Sequence, residues 1–138
     1  MHRQVGLLGI AGIFGLQAVA LAQVPSPARA PFDGTYQVVS STSANQTYVQ
    51  RGGQMGFCPP ATPGPLTIAQ NRLSYTTESG RRLDGTVGPN GEIQIQYSAP
   101  TTYQPVRVNV RGSVDGSGAV RVRQEGNSCS YDIVWQRR

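Results

Sequence analysis

Apolar and polar residues alternate with a period of two along much of this chain, and that pattern predicts β-structure. The clearest stretch is 106–114: Val106, Val108, Val110 and Val114 fall on one face, Arg107, Asn109 and Arg111 on the other. A second runs over 129–136, where Cys129, Tyr131, Ile133 and Trp135 share a face that is expected in the core. Fainter strands are expected at 34–40, 46–50, 66–69 and 73–77, the last two flanking a tight turn at Gln70-Asn71-Arg72. Residues 83–96 (LDGTVGPNGEIQIQ) and 110–123 (VRGSVDGSGAVRVR) align without gaps at an offset of 27 residues. Each reads apolar-x-Gly-Thr/Ser-Val, a turn, then renewed alternation, so each is expected to be a β-hairpin. The first turns through 88–92, which holds the strong turn dipeptide Asn90-Gly91, and the second through 115–119. Pairing Val87 with Ile93 and Val114 with Val120 keeps the apolar side chains together. Residues 52–65 carry Cys58 and four prolines and are expected to be an irregular loop.

These segments predict an all-β fold, an antiparallel meander of eight or nine strands. A barrel-like closure is favoured, with a sandwich as the other way to bury one face of the sheet. Residues 1–22 have the layout of an export signal: His2 and Arg3, an apolar stretch from Val5 to Leu16, then Ala20-Leu21-Ala22 as a cleavage site. The apolar core is short, glycine-rich and broken by Gln17, which argues against a membrane anchor. Residues 23–31 read as a flexible Pro-rich leader, and 32–138 as a single β domain starting at the sequence FDGTY. No stable membrane span is expected after cleavage.

Composition supports this reading. Residues 23–138 contain 12 Val, 4 Ile and 10 Thr but only 3 Leu, and β-branched residues favour the sheet. The two cysteines, Cys58 and Cys129, are expected to form one disulfide in an oxidising compartment, so the location is expected to be periplasmic or secreted.

Charge and chemistry narrow the functional classes. His2 is the one histidine, it falls in the export signal, and the chain has no lysine. Histidine-based triads, zinc sites built on histidine or free cysteine, Schiff bases and a Walker lysine are thereby excluded for the processed chain. A carboxylate pair remains formally open among Asp33, Glu78, Asp84, Glu92, Asp115, Glu125 and Asp132, but several of these read as turn residues. The expectation is that the protein is not an enzyme and carries no cofactor and no metal.

After cleavage, 11 arginines face 7 carboxylates, a mildly basic balance. Arg107, Arg111, Arg121 and Arg123 are expected on the outer face of the second hairpin, with Arg111 opposite Arg123, as a candidate anion-binding cluster. Arg81-Arg82 and Arg137-Arg138 read as solvated ends. Tyr36, Tyr48, Tyr75, Tyr97 and Tyr103 are expected to pack inward, with a ligand mouth as the alternative. Asn45-Gln46-Thr47 fits a glycosylation sequon. Nucleic acid is not an expected partner, because the charge is modest and aromatics do not interleave with the arginines.

The motifs FDGTY (32–36), Cys58, LTI (66–68), LDGTVGPNGEI (83–93) and CSY (129–131) resemble those of small exported all-β proteins of GC-rich Gram-negative bacteria, a group with no assigned activity. That resemblance implies an extracytoplasmic β-domain with one disulfide. SGRRL (79–83) is also similar to the Ser-Gly-x-x-Tyr inhibitory loop of a periplasmic lysozyme-inhibitor family. It departs from that loop in having Leu83 for the tyrosine and no counterpart of the family's lysine. This second resemblance marks Ser79 and Gly80 as a candidate inhibitory loop. The leading expectation is a non-enzymatic exported binding or structural module for an anionic cell-envelope component, a glycan, a lipid or an envelope protein. The alternative is a proteinaceous inhibitor of a lysozyme or protease.

Overall fold

The computed structural model describes residues 22–23, 30–100, 104–126 and 128–138. The expected export signal, apart from Ala22, most of the expected leader, and Tyr103 lie outside the described residues. Among the described residues there are ten strands and no helix: β1 (Gly34–Ser43), β2 (Thr47–Val49), β3 (Met55–Phe57), β4 (Leu66–Ala69), β5 (Arg72–Thr76), β6 (Arg82–Thr86), β7 (Glu92–Ala99), β8 (Val106–Val114), β9 (Ala119–Glu125) and β10 (Ser130–Arg137). Eight of them form one sheet in the order β6-β5-β4-β1-β10-β9-β8-β7, while β2 and β3 pair separately.

The two outer strands of that order meet at a bridge between Val87 and Ile93. The Gly88 amide also donates to the Glu92 carbonyl at 2.9 Å. The sheet thus curls into a nearly closed antiparallel barrel, which leaves little strand edge exposed. Alternation does what it was expected to do. Tyr36, Leu66, Ile68, Leu73, Tyr75, Leu83, Ile93, Ile95, Val110, Val120, Val122, Tyr131, Ile133 and Trp135 are all buried in the interior. A bulge in β1 between Val38 and Ser40 turns Val39 out to solvent.

The two repeat copies use the same glycine in opposite ways. In the second, Val114 pairs with Val120 and Gly112 with Val122, so the ladder runs on without interruption. Gly112 has no Cβ because the Arg121 carbonyl occupies that place. In the first copy, β6 and β7 meet at Val87 and Ile93 and then separate. The expected hairpin therefore exists only beside its turn. The residue that would have faced Gly85 is Ile95, and its side chain lies over Gly85, where a Cβ would come within 2.6 Å of Ile95 Cγ1. A side chain wedged at this point replaces the ladder and forms the seam of the barrel.

The expectation of an irregular 52–65 is corrected in part. Gly52 and Gly53 both hold positive φ, 97° and 81°, and the Gln50 amide donates to the Gln54 carbonyl at 2.7 Å. The chain reverses there, and β3 pairs with β2 through Thr47–Phe57, Tyr48–Gly56 and Val49–Met55. Glycine is the residue this turn requires.

The remaining segment, 58–65, is irregular as expected but is docked. β4 is short, and its pairing with β1 covers only Gly34 to Tyr36. The Pro-rich segment lies beyond it, with Ala61 and Pro63 buried. It receives two buried donors: the Tyr131 hydroxyl donates to the Pro59 carbonyl at 2.7 Å and Trp135 Nε1–H to the Gly64 carbonyl at 3.0 Å. The Gly64 amide donates in turn to the Thr76 carbonyl at 2.8 Å.

Candidate functional site

The outer face of β7 to β10 presents the predicted arginines as rungs across neighbouring strands. Arg111 on β8 stands opposite Arg123 on β9, as the alternation required, and Arg123 stands opposite Asp132 on β10. Arg121 lies two residues from Arg123 on the same face. Arg107 is four residues from Arg111, about 13 Å along the strand, and faces Ser98 on β7. The structure thus gathers Arg111, Arg121 and Arg123 and leaves Arg107 apart.

Two of the four are compensated. Arg123 donates from Nε and Nη2 to the two Asp132 oxygens at 2.9 and 2.8 Å, a forked geometry suited to a guanidinium. These hydrogen bonds hold the Asp132 carboxyl below its usual range and push the Arg123 guanidinium further up. Arg121 approaches Asp115 at 3.8 Å. The Asp115 carboxyl is lowered first by the Ser117 hydroxyl, then by turn amides and Arg121; it accepts from Ser117 Oγ, the Ser117 amide and the Ala119 amide at 2.5, 2.9 and 3.1 Å. Among the described residues, neither Arg107 nor Arg111 has a carboxylate within 4.0 Å. A depression of about 350 Å³ lies beside the cluster, bordered by Arg121, Arg123, Asp132 and Val134.

The other arginines read as solvated ends divide. Arg82 is exposed and pairs with Asp84 at 3.2 Å. Arg81 instead stacks over Tyr97, 5.2 Å from the ring centroid, and donates to the Ser98 carbonyl at 2.6 Å. Arg137 stacks over Tyr36 at 5.3 Å and donates to its hydroxyl oxygen and to the Pro31 carbonyl. Each guanidinium thereby covers one face of a tyrosine ring, half-buried Tyr97 and fully buried Tyr36.

One end of the barrel carries a second group of residues. The β5–β6 turn holds Ser79 and Gly80, both exposed. It is internally tied: the Thr77 amide donates to the Arg81 carbonyl at 2.8 Å, and the Thr77 and Ser79 hydroxyls lie 2.9 Å apart. Inside the same end, Tyr75 is buried with no partner for its hydroxyl. Its ring meets Trp135 edge-on at 5.2 Å. Burial, and after it Tyr97 and Glu78, push the Tyr75 hydroxyl far above its usual range. Burial also raises Tyr97 and Tyr131.

The unfolded chain ionises tyrosine near pH ~10, whereas native Tyr75 stays protonated there. Its contribution to stability is therefore complete below that pH and is lost as pH rises beyond it. Tyr75→Phe is expected to leave stability at pH 7 unchanged or raised by up to about 1 kcal/mol, since no hydrogen bond is broken. The variant should also flatten the alkaline fall. Urea midpoints at pH 7 and 10.5 measure both, and a clear loss at pH 7 would show that the hydroxyl has a partner.

The β2–β3 hairpin is tied to this end through Cys58 and was not found from sequence as a site. Its inner residue Tyr48 lies flat across Gly56, where a Cβ would collide with the ring. Cys58, just after β3, is bonded to Cys129 just before β10. Beside that bond, Asn45 donates from Nδ2 to the Ser128 carbonyl at 2.6 Å and accepts from the Ser130 amide at 2.8 Å. The sequon nitrogen is thus hydrogen-bonded within the fold. Among the described residues no three carboxylate or cysteine side chains converge on a metal-sized site. No family model, no curated protein sequence and no solved structure matches the chain.

Proposed function

We propose that this protein is an exported, non-enzymatic binding module, periplasmic or secreted, whose outer β8–β9 face meets an anionic component of the cell envelope. The observation that carries this reading is Arg111 set directly opposite Arg123, with Arg107 and Arg111 lacking carboxylate partners. Like charges facing across a ladder lower stability, and an anionic partner offsets that cost. The guanidinium fork suits phosphate or carboxylate groups. The Cys58–Cys129 bond supports export to an oxidising compartment. Among the described residues, no helix is long and apolar enough to cross a membrane.

Arg107→Gln with Arg111→Gln is the informative variant, because both residues can be removed without leaving a carboxylate unpaired. Capture of anionic glycolipid or polysaccharide from envelope extract is expected at low salt and to fade as salt rises. Each arginine removed should weaken it about fivefold. Equal capture by the variant and the parent would rule this face out.

A second reading, inhibition of a lysozyme or protease, is supported by the tied and exposed β5–β6 turn, since a pre-organised loop binds at lower entropic cost. Ser79→Asp should abolish inhibition across a panel of such enzymes. A parent protein that inhibits none of them at micromolar concentration removes this reading.

A further inference from the structure

We infer that the outer face of the β2–β3 hairpin is a lipid-contact surface that seats its apolar side chains at the headgroup boundary of an anionic bilayer. The observations lie on a different face from the arginine cluster. Four large hydrophobic residues of the described chain are prominently exposed: Val39, Val49, Met55 and Phe57. Three of them, Val49 (68% exposed), Met55 (58%) and Phe57 (76%), project from the same side of one hairpin. The sheet period explains why. Tyr48, half-buried, and Gly56, buried, share the opposite side, so the residues flanking them must point away from it.

The hairpin has little freedom to fold these residues under. Its inner face is filled by the Tyr48 ring over Gly56. Its base is fixed by the Cys58–Cys129 bond and by the Cys58 amide donating to the Gln46 carbonyl at 2.9 Å. An apolar surface fixed outward in this way is a contact surface.

Charge and size select the occupant. Between Asp33 and Glu78 the sequence has no carboxylate, and the hairpin turn carries Arg51, exposed at its tip. The carboxylates Glu78 and Glu125 belong to the β5–β6 turn and to β9, not to the hairpin. An apolar hairpin with a basic tip and no acid complements an anionic headgroup layer, which would repel a carboxylate. A second copy of the chain is a poorer fit. Three side chains on two strands of three residues supply only a few hundred Å², against the roughly 800 Å² per partner of a stable interface. Shallow seating, about 5–10 Å deep, also leaves the open backbone edges of β2 and β3 among hydrated headgroups rather than in hydrocarbon.

The test uses the purified protein with vesicles of phosphatidylglycerol and phosphatidylcholine, and with vesicles of phosphatidylcholine alone. Phe57→Trp places a reporter on the surface, while Trp135 is fully buried and provides a constant background. Its emission is expected to shift to the blue on the anionic vesicles and to be quenched by brominated acyl chains. Phe57→Ser should lower co-sedimentation with them roughly tenfold, and Arg51→Gln about fivefold. The Arg107→Gln, Arg111→Gln variant should keep the blue shift, which separates this surface from the arginine face. An unshifted Phe57→Trp spectrum with equal co-sedimentation of Phe57→Ser and the parent overturns the inference. So does a concentration-dependent dimer that Phe57→Ser abolishes while no vesicle uptake occurs.

Discussion

Trp135→Ala is expected to destabilise the protein by about 3–5 kcal/mol, a large share of the roughly 5–15 kcal/mol available to a domain. Trp135 is fully buried and meets the ring of Tyr75, so truncation opens a cavity at the centre of the core. It also removes the donor to the Gly64 carbonyl, which holds the segment standing beyond short β4. The loss thus combines packing with an orphaned acceptor. Trp135→Phe separates the two: it keeps most of the ring, and a cost of about 1–2 kcal/mol would report the lost hydrogen bond. Far-UV circular dichroism during urea unfolding is the suitable probe, because both variants lack the chain's one tryptophan. A Trp135→Ala variant within 1 kcal/mol of the parent would mean that segment 58–65 is not docked.

Replacing both Cys58 and Cys129 by alanine is expected to cost about 4 kcal/mol and lower the melting temperature by roughly 15 °C. The bond joins residues 71 apart in sequence, so its loss restores much conformational freedom to the unfolded chain. The effect should also be local. A hairpin with strands of three residues is not stable on its own. The Gln50 and Cys58-position amides, which donate to the Gln54 and Gln46 carbonyls, should exchange with solvent far faster in the variant than amides of β8 and β9. If the melting temperature falls by less than about 5 °C and those amides remain protected, the hairpin is held by its inner packing instead of by the disulfide.

Much of the barrel was legible in the sequence because its strands are half-buried and alternate. The Val114–Val120 and Val87–Ile93 pairings followed from keeping apolar residues on one side of a glycine turn. The opposition of Arg111 and Arg123 followed from the same register. β3 was not legible, since Met-Gly-Phe turns a glycine inward and so carries no apolar alternation, and a proline-rich stretch follows it directly. The splaying of β6 from β7 was hidden because Gly85 and Gly112 are identical in sequence and differ only in what fills the space beside them.

The candidate sites were legible as residue types but not as partnerships. That Arg107, Arg111, Arg121 and Arg123 point outward is a matter of period. That Asp132 neutralises Arg123 while Arg111 is left without a carboxylate depends on how β9 pairs with β10. The stacking of Arg81 on Tyr97 depends on how the two outer strands of the sheet come together, and that of Arg137 on Tyr36 on how β1 pairs with β10. The apolar outer face of the hairpin was obscured because Thr-Tyr-Val shows no preference for a side until Tyr48 finds Gly56.

The place of β1 in the sheet has a consequence for the order of events. It lies between β4 and β10, and its long ladder runs from Tyr36 opposite Arg137 to Ser43 opposite Tyr131. A chain that emerges from the ribosome N-terminus first holds β1 unpaired along that edge until β10 has followed. Cys58 waits equally long for Cys129. Such distant pairings place closure late and slow among folding events.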